Sequence, residues 1–170
     1  IKRLSLYLFL ILFSFQTPSL ADDIRDFEIE GMSIGDSLLD YFSEEEIKSI
    51  EPTFYPASQK FYDLPIVSSK FKTYDQLSIG LKKGDNKYII YDLAGDLYYG
   101  NNLSSCLNKK KEIINEIHSL INDQKRTDYV HKYSSVDDGK SFAKITGFIF
   151  EDGSSLRIYC TDWSLDTESK

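Results

Sequence analysis

Two cysteines constrain the fold of this 170-residue chain more than any other feature. Cys106 lies in a segment whose apolar residues have helical spacing, and Cys160 lies in a segment that alternates like a strand. An even number of cysteines favours a disulfide where the compartment is oxidising, and within a monomer these two can form only one. We therefore expect a Cys106–Cys160 bond that fastens a helix to a sheet. Two separately buried thiols are the alternative.

The segment 103–124 predicts the longest helix. Its apolar side chains recur at intervals of three and four residues, which places them on one face of a helix. Lys110 interrupts this stripe, and we expect its stem to lie along the edge with the ammonium group in water. Lys125 and Arg126 suit the negative end of the helix dipole. The stripe consists of Leu103, Cys106, Leu107, Ile113, Ile114, Ile117, Leu120 and Ile121.

Alternating apolar and polar residues predict two hairpins, one on each side of the long helix. The first pairs 76–82 with 87–94, and the second pairs 141–150 with 155–163. In the last strand one face carries the apolar residues together with the second cysteine, and this face can meet the helix. Its members are Leu156, Ile158 and Cys160.

Three further features of the sequence predict local structure. Residues 27–30 alternate and predict a short first strand that ends at Gly31. Gly95 predicts a bulge or bend in the strand that contains it. The polar segment 127–140 predicts a loop.

Together these elements predict an α+β fold. We expect an antiparallel sheet of about five to six strands packed against the long helix 103–124, with one or two short helices near the N-terminus. Ser43 and Glu46 have the spacing of a capping box, and Asp36 or Ser37 can cap a short helix before them. Residues 22–170 are expected to form a single domain.

The first 21 residues have the order of a secretory signal peptide. Lys2 and Arg3 precede an apolar run over 4–15, and Ser19 and Ala21 are the small residues of a cleavage site. The run is shorter than the roughly 20 residues that span a bilayer. We predict cleavage after Ala21 and a periplasmic or secreted mature protein without a stable membrane anchor. A retained anchor is the alternative.

Charge and motif content narrow the chemistry. The chain has 27 acidic and 20 basic residues and a net charge of −7, which disfavours nucleic-acid binding. Its two histidines, His118 and His131, have no cysteine or carboxylate at ligand spacing, and no nucleotide-binding glycine motif occurs. The sequence therefore predicts no catalytic residue, no metal site and no cofactor.

Carboxylates near one strand bend leave an enzymatic alternative open. Asp92 and Asp96 flank Gly95, and Asp75 lies close to the preceding strand. Two acids about 5 to 10 Å apart are what glycoside hydrolysis requires. A chain this rich in acids brings such pairs together by chance as well.

Aromatic residues give the candidate interaction surface. Tyr55 and Tyr62 lie in a cluster around Pro56, and Trp163 lies near the end of the last strand. Tyrosine and tryptophan are enriched at binding interfaces, although both also occur in ordinary cores and strands.

Residues 29–40, Ile-Glu-Gly-Met-Ser-Ile-Gly-Asp-Ser-Leu-Leu-Asp, resemble the opening of uncharacterised exported proteins of AT-rich marine alphaproteobacteria. That resemblance implies export and no known activity. More distantly, the order of strand, glycine, short helix and antiparallel strands is similar to that of BamE (SmpA/OmlA) and beta-lactamase-inhibitor-like envelope modules. This likeness implies binding to other proteins, although the chain lacks the lipidated cysteine of those modules.

Three functions therefore stay open. The first is an exported, non-catalytic protein-interaction or binding domain whose partner is an unknown envelope or extracellular protein. The second is a periplasmic or secreted hydrolase that uses paired carboxylates. The third is a carrier that holds a small ligand in an apolar cavity behind Ile113, Ile117 and the inner face of the sheet.

Overall fold

The computed structural model describes residues 23–55, 58–121, 125–134 and 140–164. The predicted signal peptide and its cleavage site lie outside this part of the chain, so export stays a prediction. The helix predicted over 103–124 ends earlier, at Leu120, because Ile121 already has an extended backbone. Lys125 and Arg126, expected at the helix end, begin a strand instead. Residues 122–124 lie outside the described part of the chain.

The N-terminal part folds into short helices, as predicted. Two 3-10 turns, Ile24–Asp26 and Leu38–Asp40, precede helix α1 (Glu44–Ser49). The capping box of α1 is confirmed, because the Ser43 hydroxyl accepts from the Glu46 N–H and the Glu46 carboxylate accepts from the Ser43 N–H. Ser37, rather than Asp36, caps the second 3-10 turn.

The strands form two antiparallel sheets. In the first sheet the order is β1-β2-β3-β4, and in the second it is β5-β6-β7, with the long helix α2 between them in the chain. The bounds are β1 Thr53–Tyr55, β2 Ser58–Ile66, β3 Gln76–Lys82, β4 Ile90–Asp96, α2 Leu103–Leu120, β5 Lys125–Lys132, β6 Phe142–Ile149 and β7 Ser155–Asp162.

The predicted α+β fold, a single sheet of five to six strands packed against one long helix, is wrong. The described chain is mostly β, and its strands divide into sheets of four and three. The physical reason is that each sheet has its own cover. The N-terminal turns and α1 bury the apolar face of the first sheet, whereas α2 has one apolar stripe and covers only the second.

The first core lies between the N-terminal segment and the first sheet. Both layers contribute side chains to it, and each of these has less than a tenth of its surface exposed. Its members are Met32, Leu38, Phe42, Ile47, Leu64, Ile66, Leu77, Ile79, Leu81 and Ile90. Burying a large apolar side chain stabilises the folded state by about 1.5–3 kcal/mol. This core is therefore the principal hydrophobic contribution to the stability of the first half of the chain.

The second core lies between α2 and the second sheet. Ile114, Ile117 and Ile121 pack there against Phe148 and Phe150. The disulfide between Cys106 and Cys160 is confirmed, with the two Cα atoms 5.9 Å apart. It joins the first turns of α2 to β7, and Leu156 and Ile158 face the same core as predicted.

Three local predictions are also wrong. Residues 127–132 of the segment predicted as a loop belong to β5, which pairs with β6 along its whole length, and residues 135–139 of that segment lie outside the described part of the chain. The irregularity in the β3–β4 ladder lies at Gly80/Leu81 and not at Gly95. The predicted first strand is reduced to a single bridge between Ile29 and Met32.

Candidate functional site: a cleft between the two sheets

The two sheets leave a cleft between them. Each sheet has an edge strand on this side, β4 in the first and β7 in the second, and both strands line the cleft along most of their length. Its volume is about 760 Å³, within the range of roughly 300–1,000 Å³ that small-molecule sites occupy. Residues of the N-terminal segment and of α2 close its remaining sides.

The helix side of the cleft is apolar. Ile113 and Ile117 on α2 and Ile158 on β7 line this wall, and Phe27 extends it from the N-terminal segment. The Phe27 ring is fixed by an edge-to-face contact with Phe150, with the ring centroids 5.9 Å apart. This side of the cleft is therefore a hydrocarbon surface.

The sheet side carries two carboxyl groups. Asp92 and Asp96 lie on one face of β4, with Ala94 between them. Asp92 lies beside Gly80, where an added Cβ atom would be 2.6 Å from the Asp92 Cβ and 3.3 Å from the Asp63 Oδ1. Glycine at this position is what lets the two carboxyl groups approach each other. Burial raises the pKa of Asp92, and the charge of Asp63 raises it further.

Asp96 presents a free carboxylate oxygen. Its Oδ2 accepts hydrogen bonds from Gln76 Nε2 at 3.3 Å and from Ser78 Oγ at 3.2 Å. Within the described part of the chain no hydrogen bond reaches Oδ1. Two neighbours on β3 thus orient the group, and one oxygen is left to receive a donor from a ligand.

Two tyrosines, Tyr98 and Tyr159, line the cleft together with Asp96. Tyr159 on β7 has 49% of its surface exposed and Tyr98, after β4, has 67%. Burial raises the pKa of both phenols, and the Asp96 carboxylate is the largest charge that raises each of them further. Tyr159 is reached by water and at the same time crowded by protein atoms, as is typical of a cleft wall.

A second aromatic pair lies next to Tyr159. The rings of Tyr133 and Trp163 stack with centroids 4.8 Å apart, and His131 contacts Tyr133 edge-on at 4.9 Å. Trp163 keeps 45% of its surface exposed. The pair extends the aromatic wall beyond the end of β7.

Two cationic side chains of the cleft, Lys109 and Lys110, are engaged with the protein. Lys109 forms an ion pair with Glu112 at 3.1 Å. Lys110 is 9% exposed, and its Nζ donates to the Lys144 carbonyl oxygen at 2.6 Å, so the prediction of an ammonium group in water is wrong. Burial lowers the pKa of Lys110. The positive charge of Arg157, on β7, partly offsets the rise in the Asp92 pKa.

The structure separates the three residues of the candidate interaction surface. Tyr62 is partly buried against the first core, and Tyr55 lies at the end of β1. The Asp63 carboxylate accepts a hydrogen bond from Tyr55, and burial and this bond raise the Tyr55 pKa. Among the described residues that line the cleft, Trp163 is present and the two tyrosines are not.

Of the three carboxylates named in the sequence analysis, two line the cleft and one does not. Asp92 and Asp96 line the cleft, whereas Asp75 accepts a hydrogen bond from the Tyr98 N–H at 2.8 Å and so fixes the chain where β4 ends. His118 is exposed near the end of α2.

Sequence reasoning missed Tyr98, Tyr133 and Tyr159 as site residues. The available signal was the alternation of β7, which puts Tyr159 on the face opposite Cys160. That face could not be assigned to a cleft without knowing that β7 is an edge strand.

Comparison with known proteins gives no further guide. No protein-family model matches the chain, and no match was found among curated proteins or solved structures. The likeness to BamE-like envelope modules therefore stays a prediction.

The described residues contain no group of three or more histidine, cysteine and acidic side chains placed to hold a metal ion. They also contain no helix that is both long and apolar enough to cross a membrane.

Proposed function

We propose that this protein is an exported, non-catalytic binding domain that holds a small ligand in the cleft between its two sheets. The observation that carries the proposal is the cleft of about 760 Å³, which has one apolar and one polar wall. Concave sites of this size, with a few polar groups to orient the ligand, are the usual form of small-molecule sites.

The apolar wall agrees with one detail of the carrier hypothesis. Ile113 and Ile117 line the cleft, as a ligand site behind the long helix requires. The polar wall differs from that hypothesis, because Asp92 and Asp96 face the same space. The ligand we propose is therefore amphipathic rather than wholly apolar.

Export is part of the proposal. The Cys106–Cys160 bond is compatible with an oxidising compartment such as the periplasm or the extracellular space. The apolar run over 4–15 and the small residues before Asp22 support a signal peptide. Partner proteins in the envelope are compatible with a carrier, which must receive and deliver its ligand.

Native mass spectrometry of the protein purified without denaturation tests the proposal. We expect a fraction of the wild type to carry a small molecule that is released on unfolding. Ala94→Phe places a large ring on the β4 wall of the cleft and should abolish retention. Val67→Phe adds the same ring at an exposed position away from the cleft and should retain the ligand. Equal loads in all three proteins, or none in the wild type, would contradict the proposal.

A second candidate function, hydrolysis by paired carboxylates, is favoured by one observation. Asp63 and Asp92 meet over Gly80, and burial raises the pKa of Asp92 as it does for a general acid. Fluorogenic glycosides would test it: turnover that is lost in both Asp63→Asn and Asp92→Asn would favour the hydrolase. Turnover that survives either substitution would exclude this pair.

A further inference from the structure

We propose that the ligand is an organic ammonium ion, bound at the end of the cleft formed by Asp96, Tyr98, Tyr133, Tyr159 and Trp163. We name these five residues the aromatic end. The inference rests on the proposed function and names the chemical class of its ligand.

The first argument is the chemistry of the walls. Tyrosine and tryptophan rings attract a cation through the negative charge of their faces, and the attraction grows when the site is partly desolvated. Four aromatic side chains border the aromatic end, and two of them, Tyr133 and Trp163, are already stacked at 4.8 Å. Rigid rings lose little entropy on binding, so this wall is preorganised for a cation.

The second argument is the carboxylate. Asp96 is held by Gln76 and Ser78 through one oxygen, and its other oxygen takes no hydrogen bond from the described residues. A positioned carboxylate provides a charge-assisted hydrogen bond to a primary ammonium group and a counter-ion to a quaternary one. Tyr98 and Tyr159 line the cleft together with this carboxylate.

The third argument is the distribution of positive charge. The cleft's described cationic residues are Lys109, Lys110 and Arg157. Lys109 is paired with Glu112, and Lys110 donates to the Lys144 carbonyl oxygen. Arg157 lies on the same cleft as Asp92, whose charged form it favours. None of the three belongs to the aromatic end. An anionic ligand would meet Asp96 there without a compensating charge, whereas a cation is attracted.

The apolar wall sets the rest of the ligand. Ile113, Ile117 and Ile158 line the same cleft as the aromatic end. A cation with an attached hydrocarbon part would bury that part against them, while its charged group lies between Asp96 and Tyr159. The class is therefore an amine with an apolar body rather than a bare inorganic cation.

Titration of the full mature protein with matched probe pairs tests the inference. Choline is compared with its uncharged carbon isostere, and benzylammonium with benzyl alcohol. Binding is read by calorimetry and by the fluorescence of Trp163, which is the single tryptophan of the chain. We expect at least one ammonium probe to bind about tenfold or more tightly than its uncharged partner.

Variants locate the site. Asp96→Asn should weaken ammonium binding about tenfold, and Tyr159→Leu should weaken it several-fold. Tyr159→Phe should stay close to the wild type, because the ring face rather than the hydroxyl makes the contact. Asp40→Asn and Tyr91→Leu remove an exposed acid and an exposed ring outside the cleft and should change nothing. The thermal midpoint of each variant shows that it is folded.

Failure of the inference is separable from failure of the proposed function. Equal affinity for charged and uncharged probes, no effect of Asp96→Asn, or preference for an anionic probe such as benzoate would overturn the ammonium assignment. A small molecule retained by the native protein would then still support a binding cleft. If the native protein retains nothing, the proposed function falls, and if in addition no ammonium probe binds, the ammonium assignment falls with it.

Discussion

The side chain of Glu30 holds a loop of the first sheet in place. It has φ = 53° and precedes Gly31 with φ = 80°, a pair of positive values that closes a two-residue turn. Its carboxylate accepts hydrogen bonds from the N–H groups of Lys72 at 2.9 Å, Thr73 at 2.6 Å and Tyr74 at 3.1 Å. The strained backbone position is thus offset by three charge-assisted bonds.

Glu30→Gln should make the protein less stable in a pH-dependent way. The bonds from Lys72 and Thr73 are the main cause that lowers the Glu30 pKa below its ordinary value of 4.5. The contribution is complete above that value and is lost as the pH falls through the lowered pKa of the folded state. At pH 7 the variant should melt a few degrees below the wild type. In strong acid the two should coincide, and a constant difference across pH would contradict this account.

Gly95→Ala tests a close approach between β4 and the loop that Glu30 holds. An added Cβ atom would lie 2.5 Å from the Tyr74 Cδ1, closer than van der Waals contact permits. We expect a loss of about 2 kcal/mol in the free energy of unfolding, measured with urea.

Gly147→Ala is the matched control for this experiment. Its added Cβ atom meets the Thr127 Oγ1 at 3.1 Å, on a side chain that can turn away. A smaller loss is therefore expected, and equal losses at the two positions would show that the Tyr74 contact is not the cause.

At the scale of elements, the sequence predicted those that have a buried face. The bounds of β3 agree with the alternation over 76–82, and β7 was found for the same reason. The cap of α1 was found from the spacing of Ser43 and Glu46. By contrast, most of β5 is exposed, and it exists because β6 offers it a ladder to pair with. Its Arg126–Asp128 ion pair, at 2.9 Å, carries no pattern that a strand prediction could use. A polar edge strand is therefore indistinguishable from a loop in the sequence.

The disulfide is the element-scale contact with the largest predicted effect. It closes a loop with a sequence separation of 54, which the chain-entropy model values at about 4 kcal/mol. The double variant Cys106→Ala with Cys160→Ala should lose about that much stability toward urea, and reduced wild type should unfold at a similar concentration. A loss below about 1 kcal/mol would mean that packing between α2 and β7 suffices without the bond.

At the scale of the whole molecule, the sequence identifies which faces are buried but not which layers meet. The stripe on α2 and the apolar face of β3 both require a cover, and one layer arrangement would have served both. The N-terminal segment covers the first sheet instead, and this leaves β4 and β7 as separate edges with a cleft between them. Asp92 and Asp96 were noted from the sequence, whereas the tyrosines became site residues only through this arrangement.

The most direct test of the account is to map ligand contacts on the folded chain. Backbone amide and Trp163 indole signals of ¹⁵N-labelled protein would be followed while the molecule released from the native protein is added back. The account predicts shifts in β4, in β7, in residues 97–103 and at Trp163, with little change in β1 and β5. Shifts confined to the β1–β2 hairpin around Tyr55 and Tyr62, or no shifts at all, would contradict a binding site between the two sheets.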